Sequence, residues 1–303
     1  MKPVPDHLQS DLKHAIRLEW WTLAWQTSIV VVMYFVLGSS QAMKSAWMED
    51  LLGLVPAGIF LLSVHFERQP PTPKFPFGFL RVNSLAFLAS ASVLVFMGAY
   101  LLYDSVSKLI AMEHPTLGPI TLFGETIWIG WVMMAALAYS VIPPVIIGRL
   151  KQPVSKRLRD KVLHTDALMQ KADWMTGLAG ILGVSGVGFG FWWADSVAAA
   201  LIALDIAHDG LRAARVAIAE LSDGMPRELG GTKIDKDAKA LKSVLEKRHP
   251  GSEVRLRETG RFIAAQVTGP HLPDEPAPLE DLWTGDPAYS WRLANVSYAP
   301  KRD

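Results

Sequence analysis

The chain has 303 residues, of which 50% are hydrophobic and 19% are charged. This composition is too apolar for an ordinary soluble domain and is typical of a membrane protein with a modest soluble part. The net charge is +1 and the positive residues cluster between apolar segments, so the charge does not indicate nucleic-acid binding. The sequence contains no cysteine, which excludes disulfides and thiolate metal sites.

Six apolar segments are about 20 residues long, the length that crosses a bilayer as a helix. We place these spans near Trp20–Leu37, Trp47–Phe66, Val82–Tyr103, Thr121–Ile147, Leu168–Gly190 and Trp193–Ala214. Span five carries one acid, Asp173, well inside its apolar run. A charge within a membrane helix costs at least ~2.5 kcal/mol on insertion scales, so we expect Asp173 to face protein or water and to have a function.

Lys and Arg are concentrated in alternate loops. They occur between spans two and three at Arg68, Lys74 and Arg81, and in the loop between spans four and five at Arg149, Lys151, Lys156, Arg157, Arg159 and Lys161. Positive residues in short loops mark the cytoplasmic side of a membrane. The pattern therefore predicts that both termini are cytoplasmic, and we interpret the basic loop mainly as a topology signal.

The composition turns polar after Leu221, which predicts three parts: a cytoplasmic segment 1–19, a six-helix membrane domain 20–221 and a cytoplasmic domain 222–303. The periodicity in the last part predicts an amphipathic helix and three strands. These elements are Asp235–Arg248, Glu253–Arg257, Phe262–Val267 and Arg292–Tyr298, with a turn at Thr259–Gly260. We expect a small α/β domain.

Three stretches resemble the cation diffusion facilitator family. Arg68–Ala86 is similar to the link between the second and third helices of that family, Ala167–Asp173 to its fifth-helix motif, and Trp193–Arg227 to its sixth helix and exit. The resemblance implies six transmembrane helices with both termini inside, a ferredoxin-like cytoplasmic α/β domain and a homodimer.

The transport site of the family uses two residues four apart on helix two and two on helix five. Residues at this spacing share one helical face, so two such pairs can surround a divalent ion. Carried onto this chain, the positions are Glu49 and Gly53, and Met169 and Asp173. Glu49 and Asp173 can ligate a metal; Gly53 cannot, and Met169 offers only a soft thioether. Asp50, beside Glu49, and Gln170, beside Met169, can substitute as ligands if either helix rotates. The alternative is that Glu49 and Asp173 are a residual acid pair that faces water or binds protons.

Two further sets of polar residues need an interpretation. The resemblance implies a charge interlock of the dimer at Arg81 and Asp223, and the alternative is that these are two unrelated interfacial charges. In span six, Asp205, His208 and Asp209 have a spacing that can bind metal. They form either a secondary polar site for an ion or solvated contacts between helices.

The function that the resemblance implies is proton-coupled efflux of a divalent metal cation, of unknown identity, across the cell membrane, which is the inner membrane in a Gram-negative bacterium. The expected partners are the lipid bilayer, the metal ion, protons and a second copy of the chain. The alternative is a degenerate, non-transporting member that acts as a partner or regulatory subunit. We expect no enzymatic activity and no cofactor, because the sequence contains no zinc-protease, nucleophile-elbow or phosphate-loop motif.

Overall fold

The computed structural model describes residues 4–36, 47, 50–112, 119–122, 125–270 and 277–300. Six long helices occur within these residues, one for each predicted span: α1 (Gln9–Val36), α2 (Leu54–Glu67), α3 (Arg81–Ile110), α4 (Ile129–Leu158), α5 (Lys161–Gly188) and α6 (Ala194–Leu221). By length and composition, three helical segments of the described chain are able to cross a membrane: Asp50–Glu67, Arg81–Ile110 and Gly130–Leu158.

The helices pack as a bundle in which α3 lies along α6 and α4 lies along α5. Helix α1 contacts α2 and α4, and α5 contacts α2 and α6. An apolar cluster joins the amino-terminal part of α1 to the neighbouring helix ends through Leu12, Phe60, Phe87, Leu158, Leu163 and Val216. This cluster fixes the ends of the helices that lead to the polar carboxyl-terminal part of the chain.

Most of the predicted basic loop between spans four and five is helical. Helix α4 continues through Leu158, and the chain reverses in a short turn where Arg159 has a left-handed φ of 48°. The next residue, Asp160, accepts a hydrogen bond from the backbone N–H of Leu163 at 2.9 Å and so caps α5. Leu, Lys, Arg and Gln are good helix formers, which explains why the helix extends beyond the apolar run.

The predicted start of span four at Thr121 is wrong. The structure has an antiparallel hairpin here, formed by β1 (Pro119–Leu122) and β2 (Glu125–Trp128), and α4 begins only at Ile129. Each strand contains an Ile and a Thr, and β-branched residues favour strands, although the same segment is read as part of an apolar run when hydropathy is averaged over the sequence.

The carboxyl-terminal part forms a small α/β domain, as predicted. It contains α7 (Lys236–Arg248), β3 (Glu253–Thr259), β4 (Phe262–Gly269), the short helix α8 (Leu279–Leu282) and β5 (Leu293–Pro300). Strand β4 is central, antiparallel to β3 and parallel to β5. Helix α7 covers the sheet because Ala238, Leu241 and Leu245 are buried against the apolar side chains of the strands.

Candidate metal site

The metal site is predicted between the helices of spans two and five, and α2 and α5 contact each other in the structure. Asp50 opens the helical stretch that continues into α2, and Asp173 is half-buried in the middle of α5. Glu49 lies outside the described residues. The structure therefore places one described acid on each of the two helices that the prediction paired.

Met169 packs in an apolar environment. It is fully buried in a cluster with side chains of α3 and α6, which are Leu94, Met97, Leu101, Ala203 and Ile206. Methionine commonly fills irregular gaps in such cores. This packing favours a structural role for Met169 over the predicted ligand role.

Gln26 of α1 is a polar residue of the site that the sequence analysis missed. Its Nε2 donates to the backbone carbonyl of Asp50 at 3.0 Å and lies 3.5 Å from Oδ1 of the same residue. A Cβ atom built on Gly53 would lie only 2.9 Å from this Nε2. The side chain of Gln26 therefore occupies the space beside Gly53, the position that offers no ligand of its own. Its one signal in the sequence is that it is an amide inside an otherwise apolar span.

The donors of this region are predominantly oxygens. Asp50 and Asp173 offer carboxylates, and the side-chain amide of Gln26, whose Nε2 faces Asp50, also carries an oxygen. Carboxylate and amide oxygens suit magnesium, manganese and calcium, whereas zinc usually takes histidine or cysteine ligands. The chemistry of the described side chains therefore favours a hard divalent ion.

The polar cluster predicted on α6 is occupied by basic side chains. Lys171 Nζ donates to Asp205 at 2.7 Å and lies 3.6 Å from Asp209. Arg212 lies 3.5 Å from Asp209 and 2.7 Å from the Nε2 of His208. In the described part of the chain, no group of three or more acidic and histidine side chains is placed to hold a metal ion. The geometry favours the interpretation of this cluster as contacts between α5 and α6.

The structure brings the predicted charge pair together within one chain. Arg81, at the start of α3, donates to Asp223 at 2.5 Å, and both side chains are about half exposed. Arg257 of β3 also donates to Asp223, at 3.4 Å. The pair thus lies where α6 exits towards the carboxyl-terminal domain.

A network of buried ion pairs joins that domain to the helix ends, and the sequence analysis missed it. Arg261, at the β3–β4 turn, donates to Glu67 of α2 at 2.7 Å and to Asp160 of the α4–α5 turn. Burial lowers the pKa of Arg261, but Glu67 and Asp160 outweigh this effect and raise the pKa above its ordinary value. Arg261 therefore stays charged, and it fastens the turn to the membrane helices.

Lys161 forms the second part of the network. Its Nζ donates to Glu220 of α6 at 2.7 Å and to Glu258 of β3 at 2.5 Å. Glu258 also accepts from Arg292 at 3.2 Å. Burial lowers the pKa of Lys161, but the two glutamates outweigh this effect and the net shift is upward. Helices α5 and α6 thus share one charged cluster with the sheet.

Comparison with known proteins identifies the class of this bundle. Residues 22–222, more than half of the chain, match the family model described as the cation efflux transmembrane domain. The chain belongs to the cation efflux family. Its predicted membership of the cation diffusion facilitators is confirmed, and so is the prediction that it is a transmembrane ion-transport protein of this kind rather than an enzyme.

Several cation efflux relatives align with the chain at low identity. The manganese efflux system protein MneS of Bacillus subtilis is 20% identical over 79% of this chain and 77% of that protein. The magnetosome protein MamB of Magnetospirillum gryphiswaldense is 23% identical over 78% of each chain. The zinc transporter ZitB of Yersinia pseudotuberculosis is 23% identical over 59% of this chain and 53% of that protein. The alignments thus span between about half and about three quarters of these relatives.

Proposed function

We propose that this protein exports a divalent metal cation across the cell membrane in exchange for protons. The metal would bind between α2 and α5 at Glu49, Asp50 and Asp173, and Gln26 of α1 would complete the site. The observation that supports this most strongly is the contact of Gln26 with Asp50 at Gly53, because it brings a polar side chain of α1 to a position where the helix itself has no side chain.

Manganese is the ion that we expect to be carried best. The proposed ligands are hard oxygens, and the one sulfur of the predicted set, Met169, lies in an apolar cluster. The names of two relatives agree with a divalent cargo, since MneS is a manganese efflux protein and ZitB a zinc transporter. Zinc is the natural comparison ion because it prefers ligands that this site does not offer.

Protons and metal would compete for the same carboxylates. An ionised Asp173 holds the cation, and a protonated Asp173 does not. When a proton replaces the metal ion, the negative charge of the site is neutralised between transport steps. Differential binding to inward-facing and outward-facing states is what allows such an exchange to shift the conformational equilibrium. This scheme requires six spans with both termini in the cytoplasm, which is the topology that the basic loops predict.

We also propose that the working unit is a homodimer with a ferredoxin-like cytoplasmic domain. Arg81, Asp223 and Arg257 form a charged group at the exit of α6, where the resemblance expects the two copies to interlock. The predicted secondary site at Asp205, His208 and Asp209 is not needed for transport in this scheme, because its acids are already paired with Lys171 and Arg212.

The test is metal uptake into proteoliposomes under an imposed pH gradient. Asp173→Asn and Gln26→Leu should each reduce manganese flux at least tenfold, because the first removes the negative charge that holds the ion and the second removes the amide. Asp205→Asn is the matched control, since it removes an acid on α6 that pairs with Lys171, and it should retain flux. Flux that is equal in all four proteins would place the ion elsewhere.

The alternative function is that of a non-transporting partner or regulatory subunit. The observation that favours it is the loss of two ligand positions, since Gly53 has no side chain and Met169 faces an apolar cluster. Under this alternative, the wild type carries manganese, zinc, iron(II), cobalt and cadmium no faster than empty liposomes do. Purification from its own cell membrane would then yield a complex with another protein.

A further inference from the structure

Three charged side chains meet in a fully buried position where α1, α4 and α5 pack together. Lys151 Nζ donates to Glu19 Oε2 at 2.8 Å and to Asp166 Oδ2, and none of the three side chains is exposed. The other oxygen of each carboxylate, Glu19 Oε1 and Asp166 Oδ1, is buried and has no hydrogen-bond partner among the described residues. The hydrogen-bonding capacity of the two carboxylates is therefore only partly used by Lys151.

The charges of this cluster do not balance if every group is ionised. The charged groups that interact with Glu19 are the carboxylate of Asp166 on α5 and the ammonium of Lys151 on α4. Lys151 in turn interacts with the carboxylates of Glu19 and Asp166. Two carboxylates and one ammonium leave one negative charge in a site without water contact. Burying an uncompensated charge costs several kcal/mol, and two carboxylates that share a site do not readily ionise together. One additional positive charge is needed.

The cluster is aligned with the proposed metal site. Gln26 follows Glu19 by seven residues on α1, and Asp173 follows Asp166 by seven residues on α5. Seven residues are almost two helical turns, so each pair lies on one face about 10 Å apart. Two buried polar side chains lie between these levels, Thr22 on α1 and Gln170 on α5.

We propose that Glu19 and Asp166 share one bound proton and that this cluster is a proton site separate from the metal site. The proton converts one carboxylate into a carboxylic acid, whose O–H can donate to the unsatisfied oxygen of the other. Acid, carboxylate and ammonium together are then neutral. Lys151 already occupies the position that a metal ion would take between the two carboxylates, so a second metal is disfavoured. The inference rests on the proposed function only for the use of this proton in exchange.

The test is infrared difference spectroscopy of the full-length protein in lipid nanodiscs at neutral pH. The spectrum of the wild type should contain the carbonyl band of a protonated carboxylic acid. In Glu19→Gln the intensity of this band should fall by the contribution of one carboxylic acid. Asp166→Asn should give the same loss, because either amide leaves a neutral pair of one carboxylate and Lys151. Asp205→Asn is the control, since that acid pairs with Lys171, and it should leave the band unchanged.

Three outcomes would overturn the proposal. The first is a band that neither Glu19→Gln nor Asp166→Asn reduces. The second is a band in the wild type that appears only when sodium and potassium are removed, which would assign the site to a monovalent cation. The third is failure of both amide variants to fold, because a neutral pair should be at least as stable as the protonated cluster. Metal flux is a separate measurement: a wild type that carries no metal overturns the transport function and leaves the band assignment standing.

Discussion

Gly53 is the residue whose small size matters most to the proposed metal site. A methyl group at this position would lie 2.9 Å from Nε2 of Gln26 and 3.3 Å from the backbone carbonyl of Asp50. We therefore expect Gly53→Ala to displace the Gln26 side chain and to reduce manganese flux at least tenfold. The measurement is initial uptake in proteoliposomes, with the amount of inserted protein determined in parallel.

Gly58 provides the matched control on the same helix. Nothing lies within 4 Å of the Cβ that Gly58→Ala would add. That variant should keep its flux and gain about 0.5–1 kcal/mol of stability, because alanine is the better helix former. Equal losses of flux in both variants would show that α2 tolerates no substitution at all and would remove the special role of Gln26.

The burial of Lys151 is a property of a single residue that its local sequence does not predict. In the sequence Lys151 is one of several basic residues after span four, and the sequence analysis interprets this group of residues as a topology signal. In the structure the burial of adjacent residues differs: Lys151 is fully buried between two carboxylates, whereas Gln152, the next residue, is exposed. Which residue of a basic run faces the bundle depends on where α4 contacts α1 and α5, and no local pattern contains that information.

The β3–β4 turn is the element that holds the carboxyl-terminal domain on the helices. Arg261→Met would leave Glu67 and Asp160 buried without their cation, which costs about 3–5 kcal/mol for a buried pair. We expect a clear decrease in the thermal unfolding midpoint of the detergent-solubilised protein. Arg255→Met, on the same hairpin, removes an exposed pair with Glu253 and should not change the midpoint measurably. Equal midpoints in the two variants would contradict the role of the buried network.

Helix α7 offers a prediction about pH. Burial raises the pKa of Asp235, but Arg292, Arg159 and the backbone N–H of Asp237 outweigh it and hold the pKa below its ordinary value. The stability from this carboxylate is therefore present above the ordinary aspartate pKa and lost as the pH falls through the lowered value. Asp235→Asn should cost about 1–3 kcal/mol at neutral pH and progressively less in acid.

The asparagine variant isolates the charge of Asp235, because asparagine caps a helix about as well as aspartate. The measurement is chemical unfolding of the carboxyl-terminal domain in the full-length protein at several pH values, followed by hydrogen exchange of α7. Asp281→Asn is the control, since its side chain is exposed, and it should show no such pH dependence. A difference between wild type and Asp235→Asn that stays constant into acid would contradict the assignment.

Among the elements, those with a strong period were predicted correctly and those at the ends of apolar runs were not. The alternation predicted strands at Glu253–Arg257 and Phe262–Val267, which the structure extends to Thr259 and Gly269, and Asp235 marks the start of α7. The hairpin before α4 was missed because its Ile, Leu and Trp residues continue directly into the apolar run of the helix that follows. For the proposed metal site, the spacing of a resemblance supplied Glu49 and Asp173, with Asp50 as a substitute ligand beside Glu49. Gln26 required the packing of α1 against α2.

At the scale of the whole molecule, charge is placed at one end of the bundle. The ion pairs of Arg261 and Lys161 lie between the helix ends and the sheet, and Arg292 extends the network within the carboxyl-terminal domain. Burial would make any unpaired member costly. A rearrangement of α2, α5 and α6 during transport would have to move these pairs together. The domain and the helix ends are therefore expected to move as one unit during any such rearrangement.

The absence of cysteine makes the proposed topology directly measurable, since any cysteine introduced is the single reactive thiol of the chain. Thr72, between α2 and α3, and Phe191, between α5 and α6, are both exposed positions. If basic loops are cytoplasmic, a membrane-impermeant thiol reagent added to intact cells should label the Phe191→Cys variant and leave Thr72→Cys unlabelled. Permeabilised cells should label both variants. The reverse pattern would place the basic loops outside and would invert the direction of transport that the proposed exchange requires.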